Sequence, residues 1–322
     1  MNGTITDVPG VRVGHAQDIE GGTGCTVIIC DAGAVAGVDV RGSAPCTREV
    51  PLLDPVHSVD RVHAVYLGGG SAFGLDGASG VMQYLEEQGI GLDTAMGMAI
   101  VPIVVGACLY DLVVGRIDVR PDRKMGYAAC LDAKDDSHEQ GNVGAGTGAT
   151  VGKAGDPFSL MKGGLGTASC RIGDLVVGAL VAVNCYGDVI DPATGRIVAG
   201  NLNPERTGFA GAAKFLIENP FEAGVFLPGN TTIGAIATNA ALTKSSATKI
   251  AMMAHDGLAR AINPVHTMED GDAVFCLSTG DVKCNLTALG TIAAQVMASA
   301  IVNAVRNADA LYGIPCCRDM EE

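Results

Sequence analysis

The chain is 322 residues long, enough for one large domain or two ordinary ones. Its 21 Lys and Arg against 35 Asp and Glu leave a net charge of −14, which argues against nucleic acid or an anionic membrane as partner and makes a small or neutral ligand the expectation. Gly (45) and Ala (44) exceed a quarter of the chain, aromatics are only 4% and Trp is absent; with 48% apolar residues and no G-X-Y period, disorder and collagen are excluded and close packing of backbone on backbone is expected.

In chain order, Met1 to Gly10 has neither a basic nor an apolar stretch of the secretory kind, so a cytoplasmic protein is expected. Apolar runs bounded by Gly or Asp predict strands at Cys25–Asp31, Val62–Leu67, Ile100–Val105, Leu175–Cys185, Thr232–Thr238 and Ala273–Thr279. Helical patterns run from Ser71 to Gln88, ended by Gly89, from Pro204 to Ile217, from Ser245 to Ile262 and from Leu289 to Asn307. The run Thr94 to Tyr110 is too short and too broken by Gly97, Pro102 and Gly106 to span a bilayer. No break in composition marks a domain boundary, so one α/β unit is expected over 1–322, with Gly141 to Gly166 as a long loop region near a site. The 11 Cys include no C-x-x-C pair and read as reduced core thiols, with adjacent Cys316 and Cys317 as surface thiols.

Several familiar chemistries fail on inspection. There is no G-x-S-x-G and no HExxH, and the six His lack metal-ligand spacing. Gly144 to Ala149 matches G-x-G-x-x-A but follows no clear strand, and Gly152-Lys153 ends a Walker-like stretch that lacks its first Gly and its Ser or Thr. No metal and no organic cofactor is expected.

The sharpest feature is Pro228-Gly229-Asn230-Thr231-Thr232-Ile233-Gly234-Ala235-Ile236-Ala237-Thr238, a turn leading straight into an apolar strand whose first residues carry hydroxyls. A Thr hydroxyl at such a turn can add to the carbonyl just before it, forming an ester that water then cleaves. Scission at Asn230–Thr231 would make Thr231 a new N-terminus, whose α-amine, with a reference pKa of about 7.7–8.0, serves as base for its own hydroxyl. One residue then supplies both nucleophile and base.

That stretch, together with Gly69-Gly70-Ser71-Ala72-Phe73-Gly74-Leu75-Asp76, Val101-Pro102 leading to Asp111-Leu112, Gly144 to Lys153, and Lys162-Gly163-Gly164-Leu165-Gly166, resembles the S58 peptidase family. This is the family of DmpA-like aminopeptidases, β-peptidyl aminopeptidases and nylon-oligomer hydrolases. The resemblance runs in order along nearly the whole chain. It implies a DmpA-like four-layer αββα sandwich of the N-terminal-nucleophile-hydrolase kind. It also implies self-cleavage into a larger chain, 1–230, and a smaller one, 231–322, and a homo-oligomer, a tetramer of processed units.

By the same resemblance the nucleophile falls on Thr231 and an oxyanion-hole asparagine on Asn184, at the end of the strand closed by Ala182-Val183-Asn184. Lys153 matches a lysine beside the nucleophile, and Asp270 and Asp272 match paired carboxylates; alternate residues of an extended segment point the same way, so both are expected to face Thr231. A tyrosine of the oxyanion site has two candidates, Tyr110 and Tyr127. The aminopeptidase branch carries Ser at the nucleophile with Gly before it, whereas this chain has Asn230 and Thr231, as in the nylon-hydrolase branch. The expected activity is amide hydrolysis of small peptides or amino-acid amides. Two alternatives remain: an acyltransferase of the ornithine-acetyltransferase type, which passes the same acyl group to an amine, and an unprocessed, non-catalytic binder of small amino compounds.

Overall fold

The structure is a computed structural model and describes residues 3–94, 96–155, 158–221 and 229–320; Pro228, at the head of the turn, lies outside them. Nine strands build the main sheet, eight of them β1 (Arg12–Asp18), β2 (Thr23–Val40), β3 (Arg61–Gly68), β4 (Val104–Cys108), β5 (Gly164–Ile172), β6 (Leu175–Asn184), β7 (Thr231–Ala240) and β8 (Ala273–Val282). Four helices flank it: α1 (Gly77–Glu87), α2 (Arg123–Asp132), α3 (Lys244–Ala261) and α4 (Leu286–Arg306). The strands pair in the order β5-β6-β7-β8-β2-β3-β4, with β1 also on β2 and a two-residue strand, Thr47–Arg48, at the far edge.

Alternation along the strands divides this sheet into two packed layers. Val177, Ala179, Val181 and Val183 of β6, with Ile236, Val274 and Cys276, face α3 and α4 through Ala251, Ala254, Val296, Met297 and Ile301. The opposite faces, Leu180, Ala182, Ile233, Ala235 and Phe275, meet Ile28, Val65, Leu67 and Val105 from the other half of the sheet. Behind that half, Val27, Ile29, Ala64 and Tyr66 bury Ala78, Val81 and Leu85 of α1 and Ala129 of α2. Period-two side-chain direction therefore produces three apolar interfaces between four layers, helix–sheet–sheet–helix, as expected.

The glycine and alanine content finds its use where α4 crosses β5. A Cβ on Gly166 would stand 2.1 Å from the Ala300 carbonyl oxygen, so helix and strand touch backbone to backbone. The helix starts are capped as their residue types dictate: Thr243 accepts from the Ser246 N–H ahead of α3, and Asn285 from the Ala288 N–H ahead of α4. By length and composition α4 could cross a bilayer, but 67% of its apolar window is buried inside this fold.

Several expectations are corrected. The Ser71–Gln88 helix is broken into Ser71–Gly74 and Gly77–Glu87. Only Ala212–Glu218 of the Pro204–Ile217 pattern is helical, because Gly211 holds φ at +87° and ends the turn structure before it. The Ile100–Val105 run splits around Pro102 into Ile100–Val101 and β4. Cys316 and Cys317 are buried, not surface thiols.

Candidate active site

β7 lies between β6, antiparallel with Thr231 opposite Asn184, and β8, parallel with Ile233 opposite Ala273. Just ahead of these ladders Asn230 bridges to Asp270. The register alone thus brings Asn184, Asn230, Thr231 and the Asp270–Asp272 segment to one end of the sheet. Thr231 is 5% exposed there and Asn230 1%.

The Thr231 hydroxyl donates to the carbonyl oxygen of Asn230, the group it would have to attack. The same oxygen accepts the Gly271 N–H at 3.0 Å. Sequence reasoning missed Gly271, since a backbone donor leaves no residue-type signature. Its lack of a side chain is required here: a Cβ would stand 2.5 Å from the Ala44 carbonyl oxygen and 2.9 Å from Thr231 Oγ1. Gly229 is equally constrained, with φ at +118° and the Tyr110 ring where a Cβ would be, 2.0 Å away.

Asn184 and Lys153 grip the residue before Asn230. Asn184 Nδ2 donates to the Gly229 carbonyl at 2.9 Å and to the Tyr110 carbonyl at 3.1 Å, while its Oδ1 accepts the Thr150 N–H at 2.9 Å. Lys153 Nζ donates to Asn184 Oδ1 at 2.9 Å, to the Asn184 carbonyl at 3.1 Å and to the Gly229 carbonyl at 3.1 Å. All three ammonium protons therefore find oxygens in a buried site. Burial pulls the Lys153 pKa down to about 8, with the Asp270 and Asp111 charges resisting.

The two carboxylates do different work. Asp272 Oδ1 accepts the Thr232 N–H at 2.6 Å, and Oδ2 accepts His266 Nδ1 at 2.7 Å and the His266 N–H at 3.2 Å. Asp270 Oδ1 accepts the Tyr186 N–H at 3.2 Å, and Oδ2 accepts the Thr267 hydroxyl at 2.6 Å and N–H at 3.0 Å. Burial, then the nearby Asp272 charge, raises the Asp270 pKa to about 6. Among the described residues neither carboxylate bonds the Thr231 hydroxyl; Asp272 instead holds the backbone one residue further on. Arg41, Gly42 and Ala44 strap the segment from outside through N–H bonds to the Asp272 and Asp270 carbonyls.

Of the two tyrosine candidates, Tyr110 lies against Gly229, whereas the Tyr127 hydroxyl is on the surface, bonded to Glu87. Behind the site a second buried lysine, Lys162, donates to the Thr147 and Ala149 carbonyls at 2.9 and 2.6 Å, and burial lowers its pKa to about 7. Asp111 accepts the Thr23 hydroxyl and the Gly70 N–H, and burial raises its pKa to about 6. A cavity of about 500 Å³ is lined by Asp191, Arg260, Gln295 and Arg306 and touches none of these groups. Among the described residues no cluster of three His, Cys, Asp or Glu is placed to hold a metal ion.

The profile of peptidase family S58 matches residues 3–315. An uncharacterized aminopeptidase of Mycobacterium tuberculosis is 44% identical, with 98% of this chain and 97% of that one covered. A 6-aminohexanoate-oligomer endohydrolase of Paenarthrobacter ureafaciens is 36% identical, over 92% of this chain and 84% of that one. Among solved structures, the L-aminopeptidase D-Ala-esterase/amidase of Ochrobactrum anthropi, described as a variant of the Ntn hydrolase fold, superposes with a TM-score of 0.72 at 19% identity, covering 98% of this chain and 90% of that one. A β-aminopeptidase of Burkholderia sp. gives 0.71 at 23% identity, covering 96% and 87%.

Proposed function

This chain belongs to peptidase family S58 and is a hydrolase of peptide or amide bonds; from that premise we propose that it cuts itself between Asn230 and Thr231 and works as an N-terminal-threonine amidase on small peptides or amino-acid amides. The observation that carries the reading is the Thr231 hydroxyl set on the Asn230 carbonyl, with the Gly271 N–H on the same oxygen.

In self-cleavage, Thr231 Oγ1 adds to the Asn230 carbonyl carbon and negative charge develops on the oxygen that already accepts the Gly271 N–H. Such a donor, fixed before the reaction, is worth about 3–4 kcal/mol of barrier in comparable oxyanion sites. The C–N bond then breaks, the Thr231 nitrogen leaves as an amine carrying the proton, and the ester between Asn230 and Oγ1 is hydrolysed by water. Asn184 Nδ2 and Lys153 Nζ hold Gly229 throughout. Once the 1–230 chain end departs, both lose the Gly229 carbonyl and are free to receive a substrate carbonyl oxygen.

In turnover the free amine of Thr231 accepts the hydroxyl proton as Oγ1 attacks the substrate amide, and it passes that proton to the leaving amine. Water deacylates the resulting ester. Asp272, through the Thr232 N–H, keeps the nucleophile in register, and Asp270 fixes the Tyr186 and Thr267 backbone beside it. The amine must be neutral, so activity falls as pH drops below about 7. The relatives named for aminopeptidase and 6-aminohexanoate-oligomer activity supply two substrate sets to compare. The processed halves are proposed to stay together as one domain and to assemble as a cytoplasmic homo-oligomer.

Denaturing electrophoresis tests the reading. Wild type is expected as two bands of roughly 23 and 9 kDa, and Thr231→Ala as one band at 32.6 kDa without amidase activity. An intact wild-type chain with full activity overturns it. Product formation that depends on an added amine acceptor would instead favour acyl transfer.

A further inference from the structure

His266 is used by none of the steps above, yet it is built into the site by two independent features. Its Nδ1 and its backbone N–H both point at Asp272 Oδ2, at 2.7 and 3.2 Å. A carboxylate can only accept, so Nδ1 carries a proton, while Nε2 is buried without a hydrogen-bond partner. Its backbone sits at φ +56°, in the left-handed region that a residue with a Cβ rarely adopts.

The surroundings fix the ring. His255 of α3 packs edge-on at 4.7 Å between centroids and bonds the Asp39 carbonyl of β2 through Nε2. Burial pushes the His255 pKa down to about 4, so it is neutral and contributes no competing cation. The charged group bonded to the imidazole is Asp272, while Asp39, ion-paired with Arg41, lies behind His255.

We infer that His266 is a positioning residue for the amidase reaction: its Nδ1–H clamps Asp272 so that the other carboxylate oxygen holds the Thr232 N–H, fixing where β7 begins and where Thr231 presents Oγ1. The imidazole touches neither substrate nor the scissile bond. Its action runs through one carboxylate, with a short bond on each side, 2.7 Å to His266 and 2.6 Å to Thr232. The inference rests on the reading of Thr231 as nucleophile.

The left-handed backbone makes a clean test available. Gly and Asn both accept φ near +56°, but only Asn brings an N–H donor to the place of Nδ1. His266→Gly is expected to lower kcat at least tenfold towards an amino-acid p-nitroanilide, to leave KM within about twofold and to slow self-cleavage in parallel; partners that orient a reacting ligand set such a scale in metal sites. His266→Asn is expected within about threefold of wild type on both readouts. Melting curves of both variants accompany the kinetics, and midpoints close to wild type are expected, so that the loss in His266→Gly is read on folded enzyme. Equal behaviour of Gly and Asn, or a loss confined to KM, overturns the inference. Thr231→Ala separates the two levels: if it still cuts and turns over, the nucleophile reading and this inference fall together. If it is inert while His266→Gly keeps wild-type kcat, only this inference falls.

Discussion

Lys153 and Lys162 are both buried beside the site, and they are capped by nearly the same chemistry to different ends. Lys162 spends its bonds on the Thr147 and Ala149 carbonyls, both in the glycine-rich loop, with Asp111 supplying opposite charge nearby. Lys153 divides its bonds between Asn184, a fixed strand end, and the Gly229 carbonyl, which belongs to the chain end proposed to leave. Burial lowers both pKa values, to about 7 and about 8. A depressed pKa therefore does not tell the two apart; what does is whether any of the oxygens capping the ammonium is released by the reaction. A cation whose acceptors all stay is part of the scaffold, and one that loses an acceptor becomes a donor for something else.

Exchanging each lysine for methionine breaks this comparison if it is wrong. Lys153→Met should lose at least a hundredfold in kcat, since it deletes a charged donor freed for the substrate carbonyl, and should slow self-cleavage less, because Lys153 holds the Gly229 carbonyl and not the Asn230 carbonyl that is attacked. Lys162→Met should cost about 1–3 kcal/mol in chemical denaturation by leaving the buried Thr147 carbonyl unbonded, the Ala149 carbonyl still accepting the Gly163 N–H, with a smaller fall in kcat. If the two variants show the same pattern, the division of roles is lost. The pH profile carries the smallest effect and sharpens the comparison. The Thr231 amine must be neutral, giving an acid limb below about 7–8. Lys153 must be charged, giving an alkaline limb above about 8, so the optimum is narrow and activity falls up to tenfold for each pH unit beyond it. In Lys162→Met the alkaline limb should stay in place, measured as kcat/KM across pH 6–10.

The site was legible in the sequence to the extent that it is made of side chains on regular elements. The turn into β7 announces itself by Gly229, Asn230 and the hydroxyls of Thr231 and Thr232, and strand alternation links Asp270 to Asp272. The resemblance drew Lys153 and Asn184 to the same place, and the structure brings both onto the Gly229 carbonyl. The expectation that both carboxylates face Thr231 went further than the geometry, because the chain just before them turns back and offers its own donors at His266 and Thr267. Gly271 and His266 escaped notice because one acts through its backbone and the other bonds Asp272 through a left-handed turn that no residue pattern announces. In the fold, the loop expected over Gly141–Gly166 overruns the start of β5: Gly164 and Gly166 look like breakers, and only the closeness of α4 explains them. β1, Arg12-Val13-Gly14-His15-Ala16-Gln17-Asp18, was missed because polar residues interrupt its apolar side.

β7 is an interior strand, and a cut at its first residue has a thermodynamic consequence. The 231–322 piece would consist of β7, α3, β8 and α4, with β7 laddered to β6 and β8 to β2, so that both outer neighbours of its strand pair belong to the other piece. The fold would then be a heterodimer from the moment of cutting, held by a continuous sheet with no peptide bond between its halves. Its melting would become second order: the midpoint would rise with protein concentration, whereas that of the uncut Thr231→Ala chain, taken as a single unit, would not.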